Sequence, residues 1–256
     1  MVYSQVWGTG AQEALLLHCS LASSDAWRGL AAHLADGLTM TGFDFLGHGQ
    51  SADWDGSGDY HSLCTQDAEA FLERPMHLIG HSFGATVALR LALEHPTMVR
   101  SLTLIEPVFF AAAKGSEAYV EHMSEMGPFV DAMQREAYET AARLFTDEWG
   151  TGGDWAMLPA AMRAYMTARI RLVLAVEPAI YGDSAGMAAA GRLETVGCPV
   201  LLIEGSKSPS IVSVIHAALA ARLPDALRVS IKGASHMAPI THSAQVAEAI
   251  SGFLKL

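Results

Sequence analysis

No stretch of this chain carries the roughly 18 consecutive apolar residues of a membrane-spanning helix. Basic residues are also scarce. Lysine and arginine total 16 against 27 aspartates and glutamates, a net charge of −11 with histidine neutral. That balance argues against nucleic acid or an anionic membrane surface as the main partner. Cysteine is limited to Cys19, Cys64 and Cys198. Odd in number and far apart, they speak against a disulfide framework and for reduced thiols in a cytoplasmic protein. Met1 to Gly10 has neither the positive segment nor the apolar core of a secretory signal, so none is expected. Charged residues make up only 17% of the chain and apolar ones 51%, which predicts a compact globule rather than disorder. A length of 256 residues suits one large α/β domain, or such a domain with an insertion.

What is present is an alternation of strand-like and helix-like segments. Val2 to Trp7, Glu13 to His18, Leu38 to Phe45, Met76 to Ile79, Val99 to Ile105, Cys198 to Glu204 and Leu227 to Ile231 read as strands. Several are continuous apolar runs, as expected of strands covered on both faces. Helices are predicted from Ser23, Ser24 or Asp25 to about Asp36, over Leu63–Glu73 and Ala85–Glu94, over Ser210–Arg222, and over Ser243–Leu254. The order implies a mainly parallel sheet covered on both sides. From Val108 to Leu193 strand patterns vanish and Ala, Met and aromatics recur at helical spacing. This stretch reads as a helical insertion, dividing the chain into a core of 1–107 and 194–256 and an insert of 108–193. Met123, Met126, Phe129, Met133, Trp149, Trp155 and Tyr165 are expected to form mostly its core, with a few facing a pocket.

Gly80-His81-Ser82-Phe83-Gly84 sits where an apolar run stops and an Ala-rich helix starts. Strand, sharp turn and helix with serine at the apex make a nucleophile elbow. The glycines relieve the close approach of strand and helix, and the helix start points free N–H groups at the serine. A serine hydroxyl needs a base within hydrogen-bond reach and a carboxylate to orient that base. Among eleven histidines, His236 stands out, in the short polar loop Gly233-Ala234-Ser235-His236 after the last strand. There it shares the carboxyl edge of the sheet with Ser82. His77 and His81 lie on a strand and a turn, so they do not share a helical face as zinc ligands would.

Gly80-x-Ser82-x-Gly84 with Gly233-x-Ser235-His236 resembles the α/β-hydrolase family, as do His18-Cys19-Ser20 and the loop Asp44-x-x-Gly47-His48-Gly49-x-Ser51. The resemblance implies an α/β-hydrolase fold: a mostly parallel eight-stranded sheet flanked by helices, with a helical cap inserted between strands six and seven. It also implies an oxyanion hole from the backbone N–H groups of Ser20 and Phe83. Asp44 and His48 are expected to brace their loop. Cys19 replaces the usual glycine and reads as a buried structural thiol. Many relatives carry the acid in the loop after strand seven, where this chain has Gly205-Ser206-Lys207-Ser208-Pro209 and no carboxylate. Glu106, at the end of the strand after the elbow helix, is the first choice for the acid, and Glu204 the second.

The expectation is a cofactor-free, metal-free serine hydrolase with Ser82, His236 and Glu106 acting on a small or medium-sized acyl ester. Hydrolysis of a carbon–carbon bond in a β-diketone, or lactone opening, would use the same residues. Haloalkane dehalogenase and epoxide hydrolase chemistry would need an aspartate in place of Ser82. The absence of an acid at Ser208 leaves a third reading, a non-catalytic ligand-binding protein on the same scaffold.

Overall fold

Seven strands, β1 (Ser4–Trp7), β2 (Gln12–Leu17), β3 (Leu38–Phe43), β4 (Met76–His81), β5 (Val99–Ile105), β6 (Val200–Gly205) and β7 (Ala226–Ile231), form one sheet. The computed structural model describes residues 1–256. Across the sheet the order is β1-β3-β2-β4-β5-β6-β7, with β1 antiparallel to β3 and every other pair parallel. The eighth strand that the family resemblance implies is not there. The sequence supplies seven strand-length runs, and β1, paired from Ser4 to Trp7 with Phe43 to Met40, is the edge. The helical stretch therefore lies between the fifth and sixth strands rather than between the sixth and seventh.

The helices are α1 (Arg28–Leu34), α2 (Tyr60–Glu69), α3 (Phe83–Glu94), α4 (Glu117–Glu125), α5 (Gly127–Gln134) and α6 (Tyr138–Trp149). They continue with α7 (Ala160–Arg169), α8 (Arg171–Ala175), α9 (Glu177–Ile180), α10 (Ser210–Ala220), α11 (Ala238–Thr241) and α12 (Ser243–Leu254). Side chains alternate along each strand, so each strand feeds both faces of the sheet. Leu15, Leu17, Leu78, Leu102 and Leu202 pack with α2, α3 and α10 on one face. Ala14, Leu16, Ile79, Leu201 and Ile203 pack with α1 and α12 on the other. Helices α4 to α9 fill the stretch between β5 and β6, where Met126, Phe129, Met133 and Trp155 build a smaller apolar cluster. Met123, expected in that core, is instead exposed. No helix is long and apolar enough to cross a membrane.

Three helix starts differ from the sequence expectation, α3 among them, which begins at Phe83 rather than at Ala85. Asp59 accepts a hydrogen bond from the Ser62 N–H at 2.7 Å and starts α2 at Tyr60, three residues early. Ser24 to Trp27 form a 3₁₀ turn ahead of α1, and none of Ser23, Ser24 or Asp25 caps a helix with its side chain. The Ser24 N–H donates instead to Asp44, while Asp25 holds Arg28.

From β2 the chain moves outward to β3 and then returns to β4 on the other side of β2. Connections from the carboxyl ends of β2 and β4 thus diverge, which opens a crevice at that edge. Three residues bordering it adopt positive φ without being glycine: Leu21 (60°), Ser82 (56°) and Glu106 (51°). Each such residue costs on the order of 1–3 kcal/mol, and such strain collects at functional sites. The elbow glycines have distinct reasons. A Cβ on Gly84 would collide with the Leu17 carbonyl of β2, and one on Gly80 would meet the Gly84 carbonyl and the Ala85 backbone.

Candidate active site

The sharp turn from β4 into α3 lifts Ser82 out of the sheet edge, and its φ of 56° and ψ of −119° aim the hydroxyl into the crevice. The loop after β7 brings His236 to the same place. Ser82 Oγ lies 2.9 Å from His236 Nε2, and His236 Nδ1 lies 3.1 Å from Glu106 Oε2. With a carboxylate on Nδ1, the proton belongs there, which leaves Nε2 to accept from the Ser82 hydroxyl. All three side chains are buried, Glu106 completely.

Glu106 follows β5, whose last ladder bond is donated by its N–H to the Ile203 carbonyl. Pro107 then breaks the strand. Its second carboxylate oxygen, Oε1, accepts from the Gly205 N–H at 2.5 Å and the Ser208 Oγ–H at 2.6 Å. Burial pushes this carboxyl up, but the hydrogen bonds from His236, Ser208 and Gly205 outweigh it, and the net shift is downward. Glu106 is therefore an anion at neutral pH. Glu204 is not brought to the site. It lies on β6 with its carboxylate 3.2 Å from Arg228 and 3.7 Å from His216.

Ser20 and Phe83 line the same cavity as Ser82. Phe83 is the first residue of α3, where helix geometry leaves the N–H without an intrahelical acceptor. Neither its N–H nor that of Ser20 donates to a backbone carbonyl. The loop holding Ser20 is braced from below. His18 donates from Nδ1 to the Cys19 carbonyl (2.7 Å) and accepts at Nε2 from the Phe45 N–H (3.0 Å). His48 Nε2 accepts from the Leu21 N–H, and Asp44 accepts from the Ser24 and Gln50 N–H groups. Burial brings His18 down to about 4 and, with His18 beside it, His48 down to about 3, so both braces are neutral acceptors. Cys19 is buried and its thiol is pushed up to about 12, which makes it inert packing.

Sequence reasoning missed three contributors. His81 donates from Nε2 to the His236 carbonyl at 2.8 Å, and burial beside His236 holds its imidazole near 3 and neutral. Trp149 sets its indole edge-on to the His236 ring at 4.7 Å. Ser208 binds Glu106. Nothing local in the sequence marked any of the three. His77 lies apart from all of this, held by Ser101 and Gln12.

The cavity over Ser82 encloses about 450 Å³, its mouth included, and ten of its thirteen lining residues are hydrophobic. Phe110, Met126, Trp149, Val176 and Ile180 from the helical stretch form much of its wall. Glu177 is the only carboxylate in its lining. Tyr165 ties α7 to the floor, accepting from the Gly49 N–H and donating to the Ala22 carbonyl. Arg163, Arg169 and Arg171 do not reach this cavity. Arg163 holds the Ala156 and Leu158 carbonyls, while Arg169 and Arg171 stack on Tyr165 and Tyr138.

Comparison with known proteins agrees with this architecture. Over 94% of both chains, the protein is 30% identical to the pimeloyl-[acyl-carrier protein] methyl ester esterase of Methylococcus capsulatus. It is 31% identical over 153 residues to the dihydrolipoyllysine-residue acetyltransferase component of the acetoin cleaving system of Cupriavidus necator, a match taking in 55% of this chain but only 40% of that one. A solved hydrolase from Pseudomonas aeruginosa superposes with a TM-score of 0.78 at 20% identity, covering 100% of this chain and 94% of the other, which shows a shared fold. Residues 14–249 match the model of the alpha/beta hydrolase family, and the chain belongs to that family.

Proposed function

We propose that the protein is a serine hydrolase of small or medium-sized carboxylic esters, with Ser82 as nucleophile, His236 as general base and Glu106 as the acid of the triad. The observation carrying this reading is the unbroken hydrogen-bond chain from the Ser82 hydroxyl through His236 to Glu106, opening on an apolar cavity. His236 Nε2 takes the proton as Ser82 Oγ attacks the ester carbonyl. The carbonyl oxygen becomes an oxyanion, held by the backbone N–H groups of Ser20 and Phe83. His236 returns the proton to the departing alkoxide, and the alcohol leaves an acyl-Ser82 ester. Water, deprotonated by the same imidazole, attacks that ester and releases the acid and free Ser82. Helices α4 to α9 act as a cap that shields these steps from bulk water. Three buried free thiols fit a reducing compartment, and cytoplasmic residence is part of the proposal.

The hydrogen bond from Ser208 to Glu106 supports the enzymatic reading over a silent scaffold, since on that reading Glu106 takes the place of the expected aspartate. The test is a fluorophosphonate probe followed by peptide mapping, together with a panel of ester, thioester, lactone and β-diketone substrates. Covalent labelling at Ser82 and turnover of short acyl esters are expected; an unlabelled serine would return the protein to a binding role.

Glu177 sets a selectivity that the same panel reads. It stands half-buried in the apolar wall with no cationic partner, and burial raises its carboxyl above the usual range. A second carboxylate on the acyl chain would meet this charge at short range. At about 10 Å and an effective dielectric near 20, the repulsion is on the order of 1.5 kcal/mol. Glu177→Gln should raise kcat/KM for a monomethyl dicarboxylate roughly tenfold, while the neutral methyl ester of equal length changes little. Equal effects on both substrates would remove Glu177 from the specificity of the site.

A further inference from the structure

Away from the Ser82 hydroxyl, a second cluster of chemistry-bearing groups joins α4 to α6. His122 and Glu125 lie three apart on α4, hence on one helix face. Glu148 sits in the last turn of α6. One ligand atom from each of the three lies within 4.8 Å of the other two. His122 is 98% buried, being 2% exposed, and its Nδ1 has no hydrogen-bond partner. The facing Glu148 Oε1 is buried and also without a hydrogen-bond partner. The ion-pair neighbour of Glu148 is His122 itself, not a lysine or arginine. Leaving two such atoms buried and unmatched is unfavourable unless something sits between them.

We propose that His122 Nδ1, Glu125 and Glu148 form a site for a divalent first-row metal ion, with zinc the best match. The spacing is the main argument. His122 Nδ1 and Glu148 Oε1 are 3.7 Å apart, too far for an N–H···O bond, which closes at about 2.9 Å. Two ligands of one tetrahedral zinc, each bonded at about 2.0–2.1 Å, stand roughly 3.3 Å apart. The gap thus needs only a small adjustment to hold an ion. Glu125, exposed on α4, closes the third position, and water takes the fourth.

The surroundings of the imidazole fit a metal ligand. Its other nitrogen, Nε2, lies 2.7 Å from the Tyr181 hydroxyl. With the ion on Nδ1, Nε2 carries the proton and donates to Tyr181, as the second nitrogen of a metal-bound histidine usually does. The ring is fixed in orientation by stacking on Phe110, with centroids 4.4 Å apart and planes 17° apart. Nδ1 is therefore aimed at the carboxylates before any ion arrives. A single imidazole with two carboxylates suits zinc better than calcium or magnesium, which take all-oxygen sets. The ion is structural: Glu148 precedes Trp149, the residue packed on His236, so binding fixes the wall of the pocket and touches no reacting atom.

The test uses the full chain without a purification tag, dialysed against a chelator and titrated with zinc chloride by calorimetry. One ion per chain is expected, and zinc at a hundred times its Kd should raise Tm by about 5 °C or more. Glu125→Gln should melt with the ion-free wild type yet bind at least tenfold more weakly. His122→Phe, which keeps the ring stack, should lose the site and the zinc-dependent rise in Tm. If no ion binds, or Glu125→Gln binds zinc as the wild type does, the site is overturned, since an ion held at His236 would ignore Glu125.

Discussion

Ser82→Ala is expected to lower kcat for p-nitrophenyl butyrate by on the order of 10⁵-fold, with the protein still folded and still binding ester. The size follows from the site. On the proposed mechanism, removing Oγ takes away the atom that forms the acyl-enzyme, while the Ser20 and Phe83 N–H groups and the apolar wall remain. What is left is the residual rate that an oxyanion hole and binding alone give over water. The fold should tolerate the change, because the Ser82 side chain makes no capping bond to α3. Alanine must still adopt the positive φ of the turn; serine already bears that strain, so the difference between the two is small. Steady-state kinetics with a melting curve on the same sample separates loss of chemistry from loss of structure. A variant retaining more than a hundredth of wild-type kcat would mean that another group performs the attack.

Much of this arrangement could be read from residue order because its parts are local. A Cβ is forbidden at Gly80 and Gly84 by backbone a few residues or one strand away, so the elbow announces itself in five letters. The bounds of β5 and of α12 were equally plain, since Glu106-Pro107 ends one and a long amphipathic run defines the other. The strand count shows the opposite weakness. The seven apolar runs are in the sequence, and the eighth came only from likeness to other proteins. Contacts between distant segments were the least legible. Ser208 looked like a missing acid, although its hydroxyl reaches Glu106 across 102 residues. His81 meets the His236 carbonyl across 155 residues, and nothing in either neighbourhood encodes that meeting. By sequence Trp149 is one aromatic among several in the helical stretch, and only the tertiary fold sets its ring against His236. Local rules set elements; tertiary packing sets which side chains converge.

Glu106→Gln should reduce kcat by on the order of 10³–10⁴-fold, whereas Glu204→Gln should leave it within about twofold, as expected of a partly exposed ion pair with Arg228. The orientation of the new amide decides the outcome. Oε1 of residue 106 is addressed by two donors, the Gly205 N–H and the Ser208 O–H. The amide oxygen must take that place, so its NH₂ faces His236 Nδ1. An imidazole accepting there carries its proton on Nε2, and Nε2 can then no longer accept from Ser82. Activity falls through the wrong tautomer, with the geometry kept. Stability carries an independent signature. The folded carboxyl sits below its ordinary 4.5, so its contribution is complete above that pH and is lost as acid carries the pH down through the folded value. Wild-type Tm should fall over this window more steeply than that of Glu106→Gln, which has no proton to bind there. Equal slopes would show that Glu106 is not the stabilised anion of the buried pair, and a collapse of kcat in Glu204→Gln instead would move the acid to β6.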